Sequence, residues 1–238
     1  MDQIAYLDTA AATSAGANYK RRFLGLLEVR AGQTVVDIGC GPGTDLAAQA
    51  DVVGPDGLVV GVDRDAAMLA EARRRLADRA EIVFRDGDAH DLPLADGSAD
   101  RIRTDRVMQH LRDPARVLRE AVRVLRPGGI AGLAEPDWDT LAIADEDVAQ
   151  SRRFARAAAD RVRNPTIGRE LVRLSERAGL RVRSVEAIAV VFRDFGTADW
   201  ILGLRRHSGP EAREWLERLE AGPVLAGFTF YLVTARKR

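Results

Sequence analysis

The sequence predicts an α/β fold, a mostly parallel sheet layered by helices on both faces. Short apolar, β-branched runs alternate with stretches of helical periodicity between residues 34 and 136. The first such run, TVVDIG (34–39), is apolar on both faces and stops on a cluster of three glycines, Gly39, Gly41 and Gly43. The length, 238 residues, suits one domain with a sizeable core.

The elements follow in order. TVVDIG is the first strand and Asp45 to Ala50 a short helix after the glycines. GLVVGVD (57–63) is a second strand, and AAMLAEARRRLA (66–77) carries apolar residues at helical spacing. AEIVFRDGD (80–88) is a third strand and ADRIRTD (99–105) a fourth, unusually charged. Arg101 and Arg103 flank Ile102 there, so this strand either sits partly exposed or pairs with nearby acids. DPARVLREAVRVLRPGG (113–129) reads as a helix closed by Pro-Gly-Gly, and IAGLAEP (130–136) as a fifth strand. Beyond Pro136 the rhythm loosens. Helices are expected over 145–162 and 167–180, a strand over 181–192, helical pieces near 197–207 and 209–219, and a last strand over 225–236. No repeat, low-complexity tract or linker marks a domain boundary.

Lys and Arg number 36, as do Asp and Glu, giving a net charge of zero, which argues against a polyanion-binding surface. Lys20 and Lys237 are the only lysines, so single arginines are poor functional markers in this composition. Cys40 is the only cysteine, which excludes an intrachain disulfide and fits a reducing compartment. The first twenty residues lack the basic start and apolar core of a secretory signal. The stretch from Val224 to Val233 falls well short of the roughly 20 apolar residues of a spanning helix. A soluble cytoplasmic protein with no membrane or nucleic-acid partner is expected.

The glycines stand at the C-terminal end of a parallel strand, the edge at which open α/β sheets bind ligands. Bare backbone there lets N–H groups approach a ligand, and the following helix N-terminus favours negative charge. A structural tight turn is the plainer reading. A dinucleotide fingerprint needs a third glycine where this chain has Thr44, and Pro42 interrupts it, so an NAD-dependent oxidoreductase fits poorly. Asp63 ends the second strand about 20 residues later, where an acid can accept both ribose hydroxyls. It could instead cap the next helix, a task Asp65 could also perform.

Asp37-Ile-Gly39-Cys-Gly41-Pro-Gly43 resembles the first motif of class I S-adenosylmethionine-dependent methyltransferases, acid-x-Gly-x-Gly-x-Gly. The likeness extends over residues 30 to 136. RDGDAHDLPLADGSAD (85–100) looks like the family's third-strand loop, and TDRVMQHLRDPARVLREAVRVLRPGG (104–129) resembles the HHL-DP…L-E…R-LKPGG segment of UbiE-like small-molecule methyltransferases. The resemblance implies a Rossmann-like seven-stranded sheet of order 3-2-1-4-5-7-6 with the last strand antiparallel. It implies S-adenosylmethionine as cofactor and S-adenosylhomocysteine as product. Asp37 would hold the ammonium group, and the loop of Gly39, Cys40, Gly41, Gly43 and Thr44 the carboxylate, with Cys40 a small filler. Asp63, with Arg64 beside it, would meet the ribose, and Asp88 and Ala89 the adenine. Asp105 and Arg106 would line the methyl-transfer end.

Residues 1–30 are then expected as a helical lid, in which Tyr6 and Tyr19 are either ligand contacts or anchors. Residues 31–136 form a cofactor-binding half and 137–238 a substrate-shaping half, all in one methyltransferase domain. Methyl transfer needs alignment of an acceptor more than a base. His110 and Asp137 are the candidate catalytic residues, with Glu135 and Trp138 nearby. His110 has a structural role as its alternative, and Asp137 has loop solvation and capping as its own. The acceptor is expected to be an apolar, fairly large organic small molecule of the kind found in secondary metabolism, bound by a monomer or homodimer. The resemblance implies that insertions at about 141–163 and 195–222 shape its pocket, while much of the aromatic set Phe154, Phe192, Phe195, Trp200, Trp215 and Phe228 is core. No spacing supports a metal site. A nucleic-acid or protein methyltransferase is disfavoured by the sequence TDRV after the fourth strand, where base-modifying enzymes often carry Asn/Asp-Pro-Pro-Tyr. A protein that binds the cofactor without methylating remains open.

Overall fold

Seven strands, β1 (Thr34–Ile38), β2 (Leu58–Asp63), β3 (Ile82–Asp86), β4 (Ala99–Asp105), β5 (Leu125–Ile143), β6 (Leu180–Phe192) and β7 (Ala226–Lys237), make one sheet in the computed structural model, which describes residues 2–238. Their order is β3-β2-β1-β4-β5-β7-β6. The β1–β2, β2–β3, β1–β4 and β4–β5 pairs are parallel, and β7 runs antiparallel to both β5 and β6. The order reverses between β1 and β4, so the loops after β1, β2 and β4 open on one crevice, the switch point of an open α/β sheet.

Ten helices flank the sheet. They are α1 (Gln3–Ala12), α2 (Ser14–Leu26), α3 (Leu46–Val53), α4 (Ala66–Arg75), α5 (Pro114–Val124), α6 (Val148–Asp160), α7 (Ile167–Arg177), α8 (Phe195–Leu202), α9 (Leu204–His207) and α10 (Arg213–Ala221). No helix of the described residues is long and apolar enough to cross a membrane. α5 shows how sequence sets the helices. Asp113 caps its start by accepting from the Arg116 N–H at 2.9 Å, and Pro114 takes the first position, where a missing donor costs nothing. Val117, Leu118, Ala121 and Val124 bury one face.

This helix ends at Val124, not at the Pro-Gly-Gly, because Pro127 forces Arg126 towards extended backbone. The fifth strand starts at once and runs on past the expected end at Pro136 to Ile143, with a bulge between Asp137 and Ala142, so the first residues of the insertion expected at about 141–163 are sheet. The helical piece expected near 197–207 is broken at Gly203, whose φ of 67° belongs to the left-handed region.

β4 is central and buried despite its charges, so of the two expectations partial exposure fails and pairing with nearby acids holds for Arg103. Each arginine has a specific sink. Arg101 donates from Nε to the Leu27 carbonyl at 2.7 Å and from Nη2 to that of Glu28 at 2.8 Å, closing the end of α2. Arg103 is 3% exposed and meets Asp105 at 2.9 Å, Asp45 at 3.0 Å and Asp37 at 3.4 Å, with Phe23 of α2 stacked at 5.0 Å.

Removing one partner of a buried ionic cluster leaves the others unpaired, at about 3–5 kcal/mol. Arg103→Met is therefore expected to destabilise the fold by that amount, read as a lower urea midpoint at unchanged m-value.

Candidate cofactor and acceptor site

The glycine turn after β1 is held by its own backbone: the Gly39 and Cys40 N–H groups donate to the Val62 carbonyl at 2.7 and 3.1 Å. Gly39, Gly41 and Gly43 all have positive φ, 72°, 53° and 79°. A side chain on Gly39 would strike Val107 at 2.4 Å, and one on Gly43 would press on Leu76 and Ala72. On Gly41 it would meet only Leu7 of α1, at 3.5 Å. Packing therefore accounts for two of the glycines, and the open face of the third points at the crevice. The Thr44 and Asp45 N–H groups at the start of α3 donate to no protein acceptor among the described residues.

A cleft of about 390 Å³ runs from this turn across the ends of β2 and β4, within the roughly 300–1,000 Å³ of small-molecule sites. Gly39, Gly41, Asp63 and Arg64 form one wall, and Asp88, Ala89, Asp105, Arg106 and His110 continue it. Asp63 accepts from the Gly41 N–H at 2.8 Å and the Asp65 N–H at 2.9 Å, locking the second crossover to the first. Asp65, not Asp63, caps α4. Asp88 accepts from the His90 N–H at 2.8 Å and lies 2.6 Å from its Nδ1, contacts that hold its carboxyl below the usual range.

At the β1 end the cleft joins a notch lined by Lys20, Asp37, Cys40, Thr44, Asp45 and Arg106. Asp37 accepts from Gln49 Nε2 at 2.6 Å, and burial pushes its carboxyl up to about 6 against the pull of Arg103. Lys20 of α2 bonds Asp45 at 2.5 Å and Asp105 at 3.1 Å. Burial pushes the Cys40 thiol up, as suits an inert filler of the turn.

A third space, about 160 Å³ and mostly apolar, lies behind the β4 turn. Phe192, Phe228, Phe230, Trp138, Tyr6 and Tyr19 supply its aromatic walls. Leu7, Arg106 and His110 line both this cavity and the cleft, so the two share a wall. The turn carrying that wall is pinned from beneath. Glu135, wholly buried, accepts from the N–H groups of Val107 at 2.8 Å and Met108 at 2.7 Å. Asn164 donates to the carbonyls of Met108 and Leu111. Gln109 accepts from Trp138 Nε1 at 2.8 Å.

A family model described as a methyltransferase domain matches residues 30–179. The chain belongs to the S-adenosylmethionine-dependent methyltransferases. It is 45% identical, over 99% of its own length and 71% of the relative's, to an uncharacterized 37.1 kDa protein in a transposon of Streptomyces fradiae. It is 34% identical to the demethylmenaquinone methyltransferase of Lactobacillus johnsonii, over 51% of each chain, so it spans about half of that relative. Among solved structures, a putative methyltransferase of Bacillus halodurans shares the fold with a TM-score of 0.69 and 19% identity, over 92% of this chain and 99% of the other. The oxidoreductase alternative is not favoured.

The methyltransferase cleft gathers Asp37, Gly39, Cys40, Gly41, Thr44, Asp63, Arg64, Asp88, Ala89, Asp105 and Arg106 along one continuous surface, while Gly43 packs behind it. His110 reaches both spaces. Asp137 does not join them: it is wholly buried, lines neither space, and is held by the Arg169 guanidinium, with Nη2 at 2.7 Å. Of the aromatic set, Phe192 and Phe228 line the cavity, Phe154 and Trp215 pack on each other at 5.5 Å, Phe195 lies under Arg205, and Trp200 is exposed. Sequence reasoning passed over Lys20, Asp45, Gln109 and Phe230. Only the rarity of lysine hinted at one of them.

Burial pushes the Glu135 carboxyl up to about 8, against its backbone N–H donors. An acid whose folded pKa lies above its unfolded value lends stability at low pH and loses it as pH rises through the folded value. The wild-type protein should lose stability between pH 6 and 8, and Glu135→Gln should flatten that part of the curve. Urea midpoints across this range measure it.

Proposed function

We propose that this methyltransferase moves the methyl group of S-adenosylmethionine onto a small, largely apolar acceptor held in the aromatic cavity. The observation that carries the reading is the wall of Leu7, Arg106 and His110 shared by cleft and cavity, which brings an acceptor within reach of a cofactor's methyl end.

The residues present suit that cofactor. Asp37 is buried with a raised carboxyl pKa, and a ligand ammonium would favour its ionised form. The unclaimed N–H groups of Thr44 and Asp45 suit a carboxylate at a helix start. Asp63 stands at the tip of β2 to accept ribose hydroxyls, and Asp88 with Ala89 borders the far end of the cleft, where the adenine would lie. When bound, S-adenosylmethionine supplies an activated methyl on a sulfonium leaving group.

What the chain must add is alignment and exclusion of water. The cavity walls exclude water, and Tyr19, stacked on Phe230 at 4.5 Å, closes one side. Leu7 and Ala10 of α1 cover another, which suits a helical lid over residues 1–30. Partial desolvation and the nearby Arg106 and Arg64 charges hold His110 below its ordinary pKa, so it is neutral at pH 7 and able to take a proton from an acceptor. A labelled-methyl assay over apolar ring compounds tests the function. Failure to bind S-adenosylmethionine would sink it.

Asp63→Ala should weaken cofactor binding by about 1–3 kcal/mol, the cost of sugar hydroxyls left without an acceptor. Calorimetry with S-adenosylhomocysteine measures this, and an unchanged affinity removes the role. His110→Gln should cut turnover by about 10²-fold with cofactor affinity kept, if the acceptor must lose a proton. Because the wild-type imidazole is held below its usual value, its rate should fall on acidification only at a lower pH than a free imidazole's would set. Full turnover in the variant returns His110 to a structural role.

A further inference from the structure

The cavity behind the β4 turn holds a single formal charge. Its walls are aromatic and aliphatic, its polar groups are hydroxyls, an amide and the His110 ring, and no carboxylate lines it. The one charged side chain is Arg106. That guanidinium is held on purpose-built backbone. Arg106 sits at φ 59°, a left-handed conformation disfavoured for a side chain of this size, with its N–H bound to the Ala134 carbonyl at 2.9 Å. Its own carbonyl accepts from Gln109 Nε2.

The charge is only loosely paired. Arg106 Nε is buried with no hydrogen-bond partner. Its only ion-pair neighbour among the described residues is Asp105, 3.8 Å from Nε. Asp105 is already engaged by Arg103 at 2.9 Å and by Lys20 and Tyr19, each at 3.1 Å. Buried polar groups left unsatisfied are rare, and Arg106 is the one cation lining the aromatic cavity.

From this placement, and resting on the methyltransferase reading above, we propose that Arg106 recognises an anionic oxygen group on the acceptor, and that the acceptor is a ring compound carrying one such group, a carboxylate or a phenolate. A planar guanidinium matches either oxygen anion with a charge-assisted hydrogen bond. A cavity of about 160 Å³ accommodates one aromatic ring, since an apolar cavity of roughly 150 Å³ binds benzene.

The competing role for Arg106 is the cofactor's own carboxylate, since it also borders the notch beside Asp37. There, however, the Thr44 and Asp45 N–H groups can meet a carboxylate, whereas in the aromatic cavity Arg106 is the one cation.

The test uses the full chain saturated with S-adenosylhomocysteine, whose binding is measured first by calorimetry. Two matched pairs are then titrated by ligand-observed NMR: benzoate against benzamide, and 4-nitrophenolate at pH 8.5 against 4-nitroaniline. The anionic member of at least one pair should bind tenfold or more tighter than its neutral partner. The pair that shows the preference tells carboxylate from phenolate. Arg106→Met should erase the preference, and Arg106→Lys should keep part of it. Equal binding within both pairs by the wild-type protein overturns the proposal without any variant. So does an Arg106→Met protein that keeps the preference but loses tenfold in S-adenosylhomocysteine affinity, which would assign the charge to the cofactor. Wild-type protein that fails to bind S-adenosylhomocysteine at all would instead sink the methyltransferase reading beneath it.

Discussion

The organising constraint is a guanidinium buried at the middle of the sheet. Arg103 on β4 must find anions there, because an unpaired charge away from water costs several kcal/mol. The anions come from three segments: Asp37 from the end of β1, Asp45 from the turn into α3, and Asp105 from the end of β4 itself. Satisfying one cation thus registers β1 against β4 and sets the height at which the glycine turn leaves the sheet. Two of the three acids are shared with Lys20, so the same cluster draws α2 and, through it, α1 over the crevice. The third, Asp37, gains least from the shared cations, and its carboxyl is the one pushed upward. A ligand that brings positive charge to the notch completes what the protein leaves incomplete.

The turn after β1 then divides its glycines between packing and access. Gly39 leaves room for Val107, which belongs to the turn carrying the acceptor-side wall. Gly43 lets α4 approach through Leu76 and Ala72. Gly41 alone faces the opening, and its N–H is spent on Asp63. A glycine-rich motif at this place is therefore as much a joint between crossovers as a ligand surface, and the two uses cannot be separated by spacing alone.

Much of this was legible in the residues. The alternation of strand and helix, the glycine turn, the acid at the tip of β2 and the order of motifs to Pro136 all report local geometry, and local geometry leaves periodic traces. Charge in β4 left two readings open because exposure and ion pairing look alike in one dimension; only the approach of Asp37, Asp45 and Asp105 separates them. Asp137 stood at the end of an apparent strand, where a site residue belongs, yet the strand runs on to Ile143 and Arg169 of α7 comes across to meet the carboxylate. Lys20 and Phe230 reach the site from opposite ends of the chain, and no spacing rule connects them.

That difference follows from how the two spaces are built. The cofactor cleft is made by consecutive crossovers of a parallel sheet, so its residues fall at intervals set by strand and helix lengths. The aromatic cavity is made by residues from α1, α2, β5, β6, α8 and β7 converging on one turn, each element contributing one to three. Its polar floor has its own anchors: Glu135 and Asn164 fix the 107–111 backbone from below, and with it the position of Arg106 and His110. Walls of this kind can be reshaped one residue at a time while the floor keeps its geometry against the cofactor. The cofactor cleft is thereby tied to the parallel crossovers, and the aromatic cavity to the antiparallel edge of the sheet and the helices packed over it.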